Sequence, residues 1–313
     1  MAVAGIDLGA TKLSLAIFTE DGKVVEKKTV LLGSKTGEAV GGLIISSLKE
    51  LVTPELKESI DAIGVAVPGI SRIRTGTVWA PNIPGWHDYP LRNEIRKSFP
   101  SSAVLIESDR ACCILGEKWQ GNAKGCRDVI YLAVGTGIGA GILIGGDILH
   151  GAHDIAGAIG WMALNKPFDK KYISCGCFEY HASGSGIARI ATELVNQIEG
   201  YDGKLKRSNL TAQNVFDAYE LNDEIAIAVI NDCIQYWGMA VANLVSLFNP
   251  EKILFGGGVF GPATKFIPLI HEEAQKWAQP ISITQITIEP SALQEDSALY
   301  GAAFMALQKI GVV

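Results

Sequence analysis

One pattern occurs twice in this chain and limits its fold more than any other: an apolar strand, a turn containing glycine, and a second strand returning beside the first. Strand 3–9 passes through Ala10 and Thr11 into strand 13–18, and a turn at Asp21-Gly22 adds a third strand over 24–30. Strand 129–134 likewise passes through Gly135-Thr136-Gly137-Ile138-Gly139 into a return strand over 140–144. Behind the first hairpin the spacing of apolar residues predicts a helix over 38–52, a strand over 62–67 ending in Pro68-Gly69, a helix over 91–99, a strand over 103–107 and a helix opening at Asp109. Behind the second it predicts helices over 187–198 and about 224–248, a strand over 253–255 running into Gly256-Gly257-Gly258, a strand over 281–288 and a closing helix over 298–310. One α/β design used twice is the expectation. The boundary falls near 118–128, where Gly121, Asn122 and Gly125 interrupt a helix.

Length and composition support two ordinary globular units. The 313 residues exceed one domain of about 150, and 48% hydrophobic against 19% charged residues excludes disorder as the main state. A net charge of −6 with no run of Lys or Arg leaves nothing to track a phosphate backbone, so nucleic acid is set aside as a partner. The longest uncharged stretch, 129–146, contains six glycines in 18 residues and reads as two strands with a turn, so no membrane span is expected. The N-terminus has no basic segment followed by a cleavable apolar one. A cytoplasmic protein with six reduced cysteines is the expectation.

Three glycine-bearing junctions carry the chemistry. In Asp7-Leu8-Gly9-Ala10-Thr11-Lys12 the glycine lets backbone approach a phosphate, Thr11 offers a hydroxyl and an N–H, and Asp7 can hold hydrated Mg²⁺. A plain hairpin turn explains that motif in isolation equally well. Gly135-Thr136-Gly137-Ile138-Gly139 has no helix behind it, so neither a P-loop nor a dinucleotide-binding fingerprint fits, and a hairpin presenting N–H groups to an anion fits better. Gly256-Gly257-Gly258 is either a plain turn or a junction open enough for a flat nucleobase or ribose.

With these three elements in order, the chain resembles the sugar kinase, hexokinase and actin superfamily, and more narrowly the ROK family of sugar kinases and related repressors. Val67-Pro68-Gly69, the run Ala80-Pro81-Asn82-Ile83-Pro84-Gly85-Trp86, Leu115-Gly116-Glu117-Lys118-Trp119 and Gly176-Cys177-Phe178-Glu179 extend the resemblance over essentially the whole length. It implies an α/β fold of two RNase H-like (actin-like ATPase) domains, 1–118 with the C-terminal helix 298–313 and 119–297, flanking a central cleft. It also implies an ATP-dependent kinase acting on a hexose, amino sugar or related polyol. Asp109 then stands as the catalytic base, a role that competes with a simple helix N-cap. Asp7, Gly9, Thr11, Lys12, Gly135, Thr136 and Gly137 fall around ATP and Mg²⁺, and Gly257 and Gly258 fall under the adenosine. Asn82, Ser108, Asp109 and Glu179 fall on the sugar.

The family pattern breaks at three places. Ser108 stands where the family has Asn. Ala156-Gly157-Ala158-Ile159-Gly160-Trp161 stands where it reads Ala-Gly-Glu-Ile-Gly-His, which deletes two polar sugar contacts and a zinc ligand. Trp161 is then either a stacking surface for an apolar sugar face or a core residue filling the space of a lost metal site. The family's zinc segment is reduced to Ser174-Cys175-Gly176-Cys177, short of the four ligands that structural Zn²⁺ wants, so no structural zinc is expected and the loop should be held by packing. A small-molecule sugar is the expected partner, with no nucleic acid and no membrane, and a homodimer stays open. The runner-up is a ROK-fold sugar- or nucleotide-binding regulator with impaired turnover. A transcriptional repressor is disfavoured because the sequence starts directly at the first strand.

Overall fold

The computed structural model describes residues 2–52, 60–206 and 208–312. The chain divides into two compact units. The first takes Met1–Gly125, Ile148–Ala156 and Ala292–Val313, and the second takes Cys126–Asp147 and Gly157–Ser291.

The first unit opens with β1 (Ala2–Leu8), β2 (Lys12–Thr19) and β3 (Val24–Leu31), then α1 (Glu38–Leu51), β4 (Ile60–Val67), a small hairpin of β5 (Ile70–Arg72) and β6 (Thr77–Trp79), α2 (Leu91–Ser98), β7 (Ala103–Ser108) and α3 (Asp109–Gln120). Its five-stranded sheet has the order β3-β2-β1-β4-β7. β1 to β3 run antiparallel, whereas β4 and β7 lie parallel to β1. Three strand ends are therefore collected on one edge: Asp7 of β1, Pro68-Gly69 after β4, and Ser108-Asp109 after β7. Nearly every residue of β1 and β4 is buried, as expected of central strands covered on both faces. α1 and α2 lie against one face through Val40, Ile44, Leu48, Leu91 and Ile95.

The closing helix Ser297–Lys309 covers the other face together with α3, at backbone distance. A Cβ on Gly301 would lie 1.7 Å from the Cys112 carbonyl oxygen, and one on Gly64 of β4 would lie 1.8 Å from that of Ala302. Glu117, fully buried on α3, fixes the approach. Its carboxylate accepts from the backbone N–H of Asn122 (2.8 Å), Leu293 (2.9 Å) and Ala292 (3.3 Å) and from the Ser297 hydroxyl (3.3 Å). This carries the first unit beyond the expected limits of 118 and 298. Trp119 stacks on Phe304 with centroids 5.8 Å apart, so the end of α3 and the loop to Gly125 stay with the first sheet.

The second unit repeats the plan with β8 (Val129–Val134), β9 (Ile138–Ile144), β10 (Asp147–Ile148), β11 (Lys252–Gly256) and β12 (Thr287–Pro290) in the order β10-β9-β8-β11-β12. β8 pairs antiparallel with β9 and parallel with β11, matching β1 against β2 and β4. Its helices are α4 (Cys177–Ala182), α5 (Gly184–Gln197), α6 (Ala212–Glu220), α7 (Glu224–Phe248) and α8 (Ile267–Gln275). α7 is long and apolar enough to cross a membrane, but two-thirds of its most apolar window is buried in the unit, so it is a core helix. Asp223 caps it by accepting from Ala226 N–H at 3.0 Å, and left-handed Asn249 ends it.

One expected element differs. The stretch 281–288 alternates as a strand would, yet only Thr287–Pro290 pairs, and Ser282–Thr284 is a 3₁₀ turn. The Gln279 side-chain oxygen accepts from Ile281 and Ser282 N–H, and the Thr284 hydroxyl donates back to the Ile281 carbonyl, so local side-chain bonds replace the ladder there. All six cysteines are thiols.

Replacing Glu117 by Ala strands several buried donors at once, each worth about 1–3 kcal/mol. Glu117→Ala is expected to lower unfolding free energy by roughly 3 kcal/mol or more, read as a drop in the urea midpoint, whereas an unchanged midpoint would remove Glu117 from the support of the closing helix.

Candidate active site

In the first unit the candidate residues gather at the shared strand edge. Asp7, half-buried at the end of β1, pairs in register with Ser14 and Ala66. Gly9 N–H donates to the Lys12 carbonyl at 2.9 Å and closes the hairpin, leaving Thr11 exposed at its tip. Lys12 does not reach over this turn: its ammonium pairs with Glu295 at 2.7 Å on the surface. A phosphate role for Lys12 would require that exposed pair, worth at most about 1 kcal/mol, to open.

Asp109 is the first residue of α3, and Ser108 is the cap. The Ser108 oxygen accepts from Ala111 N–H at 3.4 Å, and Ser108 itself is buried. Ser108, and not Asp109, is therefore the N-cap of this helix. Ser108, expected among the sugar contacts, has its oxygen engaged within the turn. One Asp109 oxygen, Oδ1, accepts from Arg110 N–H at 2.7 Å. Burial raises the pKa of Asp109, with Arg110 opposing. Burial, and then repulsion from Asp109, raises that of Asp7 to about 7, with Lys12 opposing. Arg110 belongs to no motif. Its signal in the sequence is a cation in the first turn of a helix, where the macrodipole disfavours one. Its Nη1 reaches the Gly69 carbonyl at 3.4 Å, and its Nε is buried without a partner.

Asn82 is exposed on a loop built from short backbone bonds, Ala80 N–H to the Trp86 carbonyl at 2.8 Å and Trp86 N–H to the Ile83 carbonyl at 3.0 Å. Buried Trp86 anchors that loop through Nε1 to the Gly37 carbonyl (2.9 Å) and by stacking on Tyr89 at 4.5 Å.

In the second unit Gly135 N–H donates to the Gly137 carbonyl at 2.9 Å, a turn one residue tighter than that from Gly9 to Lys12, and Thr136 is exposed. A Cβ on Gly135 or Gly258 would meet no atom within 4 Å, so both offer bare backbone to open space. Gly257 is glycine for another reason: its φ is +87°, and a Cβ would lie 2.5 Å from the Val134 carbonyl oxygen. Glu179 on α4 turns back to this hairpin, accepting from Ile138 N–H at 2.7 Å through Oε2 while Oε1 has no protein partner. Burial raises its pKa against that bond and Arg189.

Ala158 is exposed and Trp161 is 57% exposed, which removes the reading of Trp161 as a core residue. The segment where the family zinc would lie is packed by aromatic rings. His181 stacks on Tyr236 at 4.5 Å and bonds the Tyr172 hydroxyl at 3.0 Å, with Tyr180 edge-on. Burial lowers the pKa of His181 to about 4, so it is neutral at pH 7. Among the described residues no cluster of three or more His, Cys, Asp or Glu could hold a metal ion.

The first unit suits a hydrated divalent cation at Asp7, whose pKa is raised by burial and then by the nearby Asp109, with Lys12 opposing. The second suits a phosphate chain and a flat nucleoside, through the bare backbone at Gly135 and Gly258. A carboxyl raised from 3.8 to about 7 binds more protons folded than unfolded, so its contribution makes stability fall as pH rises from about 4 to 7. In chelator-treated buffer, Asp7→Asn is expected to raise the thermal midpoint at pH 7.5, with the gain vanishing near pH 4. An equal gain at both pH values would contradict this origin.

The ROK family model matches residues 3–309. A glucokinase of Halalkalibacterium halodurans is 32% identical over 97% of this chain and 94% of its own length. A xylose repressor of Caldicellulosiruptor bescii is 29% identical over 98% of this chain and 78% of its own length. Among solved structures, a ROK hexokinase from Thermus thermophilus superposes with a TM-score of 0.81 at 27% identity, covering 99% of each chain. The repeated hairpin sheet is therefore the actin-like ATPase fold of ROK sugar kinases, and the chain belongs to the ROK family.

Proposed function

We propose that this protein is an ATP-dependent sugar kinase that transfers the γ-phosphoryl group to a hydroxyl of a hexose, amino sugar or related polyol. The observation that carries the reading is Asp109: a half-buried carboxylate directly after the parallel edge strand β7, relieved of capping by Ser108, with Oδ1 held by the Arg110 N–H. Family membership and the glucokinase relative support the same chemistry.

The attacking sugar hydroxyl has a high pKa and must lose its proton as the bond to phosphorus forms. Asp109 Oδ2 accepts that proton, and burial makes it a better base than an exposed aspartate. Arg110 opposes that rise in pKa without cancelling it. Asp7 would hold Mg²⁺, which supplies neutralising charge to the phosphates. The N–H groups of the Gly9 and Gly135–Gly137 turns would hold phosphate oxygens, and bare Gly258 leaves room for the nucleoside. Asn82, and Glu179 through Oε1, would accept or donate to sugar hydroxyls. Ala158 offers no polar group, and exposed Trp161 offers an aromatic face, a combination that favours a sugar with an apolar face over glucose. The reading places the enzyme in the cytoplasm.

A second reading, a ligand-binding regulator without turnover, has two supports: the bare Ala158 position and the xylose repressor relative. Incubating the protein with ATP, Mg²⁺ and a panel of sugars and polyols, with ADP release measured against a sugar-free blank, separates the two. Asp109→Asn is expected to reduce turnover by on the order of 10²-fold or more while nucleotide affinity holds. Unchanged turnover would take Asp109 out of the mechanism.

Because Trp161 is exposed, the paired change Ala158→Glu with Trp161→His should leave the melting midpoint within about 2 °C of wild type. The same variant should raise glucose phosphorylation roughly tenfold, since each regained hydrogen bond is worth about 0.5–1.5 kcal/mol. Wild-type glucose use as efficient as the double variant's would show that these two positions do not set specificity.

A further inference from the structure

We propose that His150 is a positioning residue for the turn that carries Asp109, acting through the buried carboxylate of Glu107. The inference rests on the reading of Asp109 as the base for its kinetic consequence, and on geometry alone for its structural one.

Segment Ile148–Ala156 lies in sequence between two stretches of the second unit but packs as part of the first. It is closed on itself: Ala156 N–H donates to the His150 carbonyl at 3.1 Å, and Gly151 and Asp154 both adopt left-handed backbone, with φ of 73° and 59°. From this loop the His150 ring reaches Glu107, with Nε2 at 2.7 Å from Oε2. Since the acceptor is a carboxylate oxygen, Nε2 carries the proton. The Glu107 side chain is 9% exposed and that of His150 is 33% exposed, so the pair is largely withdrawn from water. The other Glu107 oxygen, Oε1, accepts from Ser108 N–H at 2.6 Å. A single carboxylate thus joins the loop on one side to the backbone of Ser108 on the other. Ser108 is the cap of α3, and the next residue is Asp109.

A carboxylate at this depth costs free energy unless both oxygens are satisfied. Removing the imidazole leaves Oε2 without its partner, and the carboxylate must then turn toward water or another donor. Either movement loosens its grip on Ser108 N–H, and the Asp109 turn with it. Displacing a general base by a fraction of an ångström is enough to affect turnover. The charged groups facing His150 are Glu107 from the end of β7 and Asp154 from its own loop. Both favour the imidazolium, and the hydrogen bond to Glu107 is the largest cause of a raised His150 pKa, against the cost of burial. The charged pair is therefore complete below that raised pKa and is lost as pH rises through it. Loss of that charge is expected to lower activity on the alkaline side.

The test uses the full chain and three proteins: wild type, His150→Gln and His150→Lys. Without any substrate, backbone hydrogen exchange of 148–156 and of 107–111 should accelerate together in His150→Gln at pH 6.5, by roughly tenfold, while the second unit is unchanged. The Lys variant retains a cation for Glu107 and should restore slow exchange in both segments. With whichever sugar the wild type phosphorylates, His150→Gln should lower kcat/KM by roughly tenfold or more at pH 6.5. Wild type should lose kcat/KM as pH rises through the raised His150 pKa, and His150→Lys should not lose it over the same range. Unchanged exchange at 107–111 in His150→Gln, or a wild-type alkaline limb that persists in His150→Lys, would overturn the proposal. If no sugar is phosphorylated, the kinase reading fails, and exchange at 107–111 still decides whether His150 positions the turn.

Discussion

The arrangement of the first unit depends on one carboxylate. Glu117 sits fully buried with N–H donors from both the chain just after α3 and the chain just before the closing helix, plus the hydroxyl of that helix's first residue. Those segments are some 170 positions apart in sequence. A carboxyl group so placed is tolerated only because the donors converge on it, and it specifies where the closing helix must start. With that start fixed, Gly301 and Gly64 allow backbone to meet backbone, and the face of the sheet behind Asp7 and Asp109 is sealed. The repulsion between those two aspartates is sustained by a scaffold held elsewhere.

The two units show how one topology serves two purposes. Each has an antiparallel hairpin followed by parallel strands, with the glycine turn at the same end. In the first, acidic side chains line that end; in the second, backbone is left bare. The difference lies in a few positions, Asp7 and Asp109 against Gly135 and Gly258, while the ladders beneath are alike. Chemistry in this fold is decided at the strand ends, which is where parallel sheets generally bind their ligands.

Much of this was legible in the residues. The hairpins, the central strands and α7 announced themselves through periodicity, because burial on one face or both imposes a repeat on the sequence. Asp7 and Asp109 were picked out by the family resemblance, because in isolation a hairpin turn and a helix N-cap explain them as well. The failures have physical causes. The stretch 281–288 alternates like a strand, but Gln279 and Thr284 bond its backbone locally. The capping role of Ser108 was hidden because Ser and Asp are both good caps and only the dihedral angles choose between them. Trp161 could have been core or surface, since a large aromatic is compatible with either until its neighbours are known. His150 and Glu107 carry no motif, and their partnership is long-range.

The way the units interleave along the chain has a consequence for synthesis. The ribosome delivers β1 to α3 first, yet the first unit cannot be completed until Ala292 and the closing helix emerge, after all of the second unit. At about 5–20 residues per second, the face of β1 and β4 that the closing helix will cover stays open for on the order of ten seconds or more. The second unit has its whole sequence available before that wait ends. The first unit is therefore closed by some of the last residues made, and the apolar strip under residues 297–309 is the last part of its core to be covered.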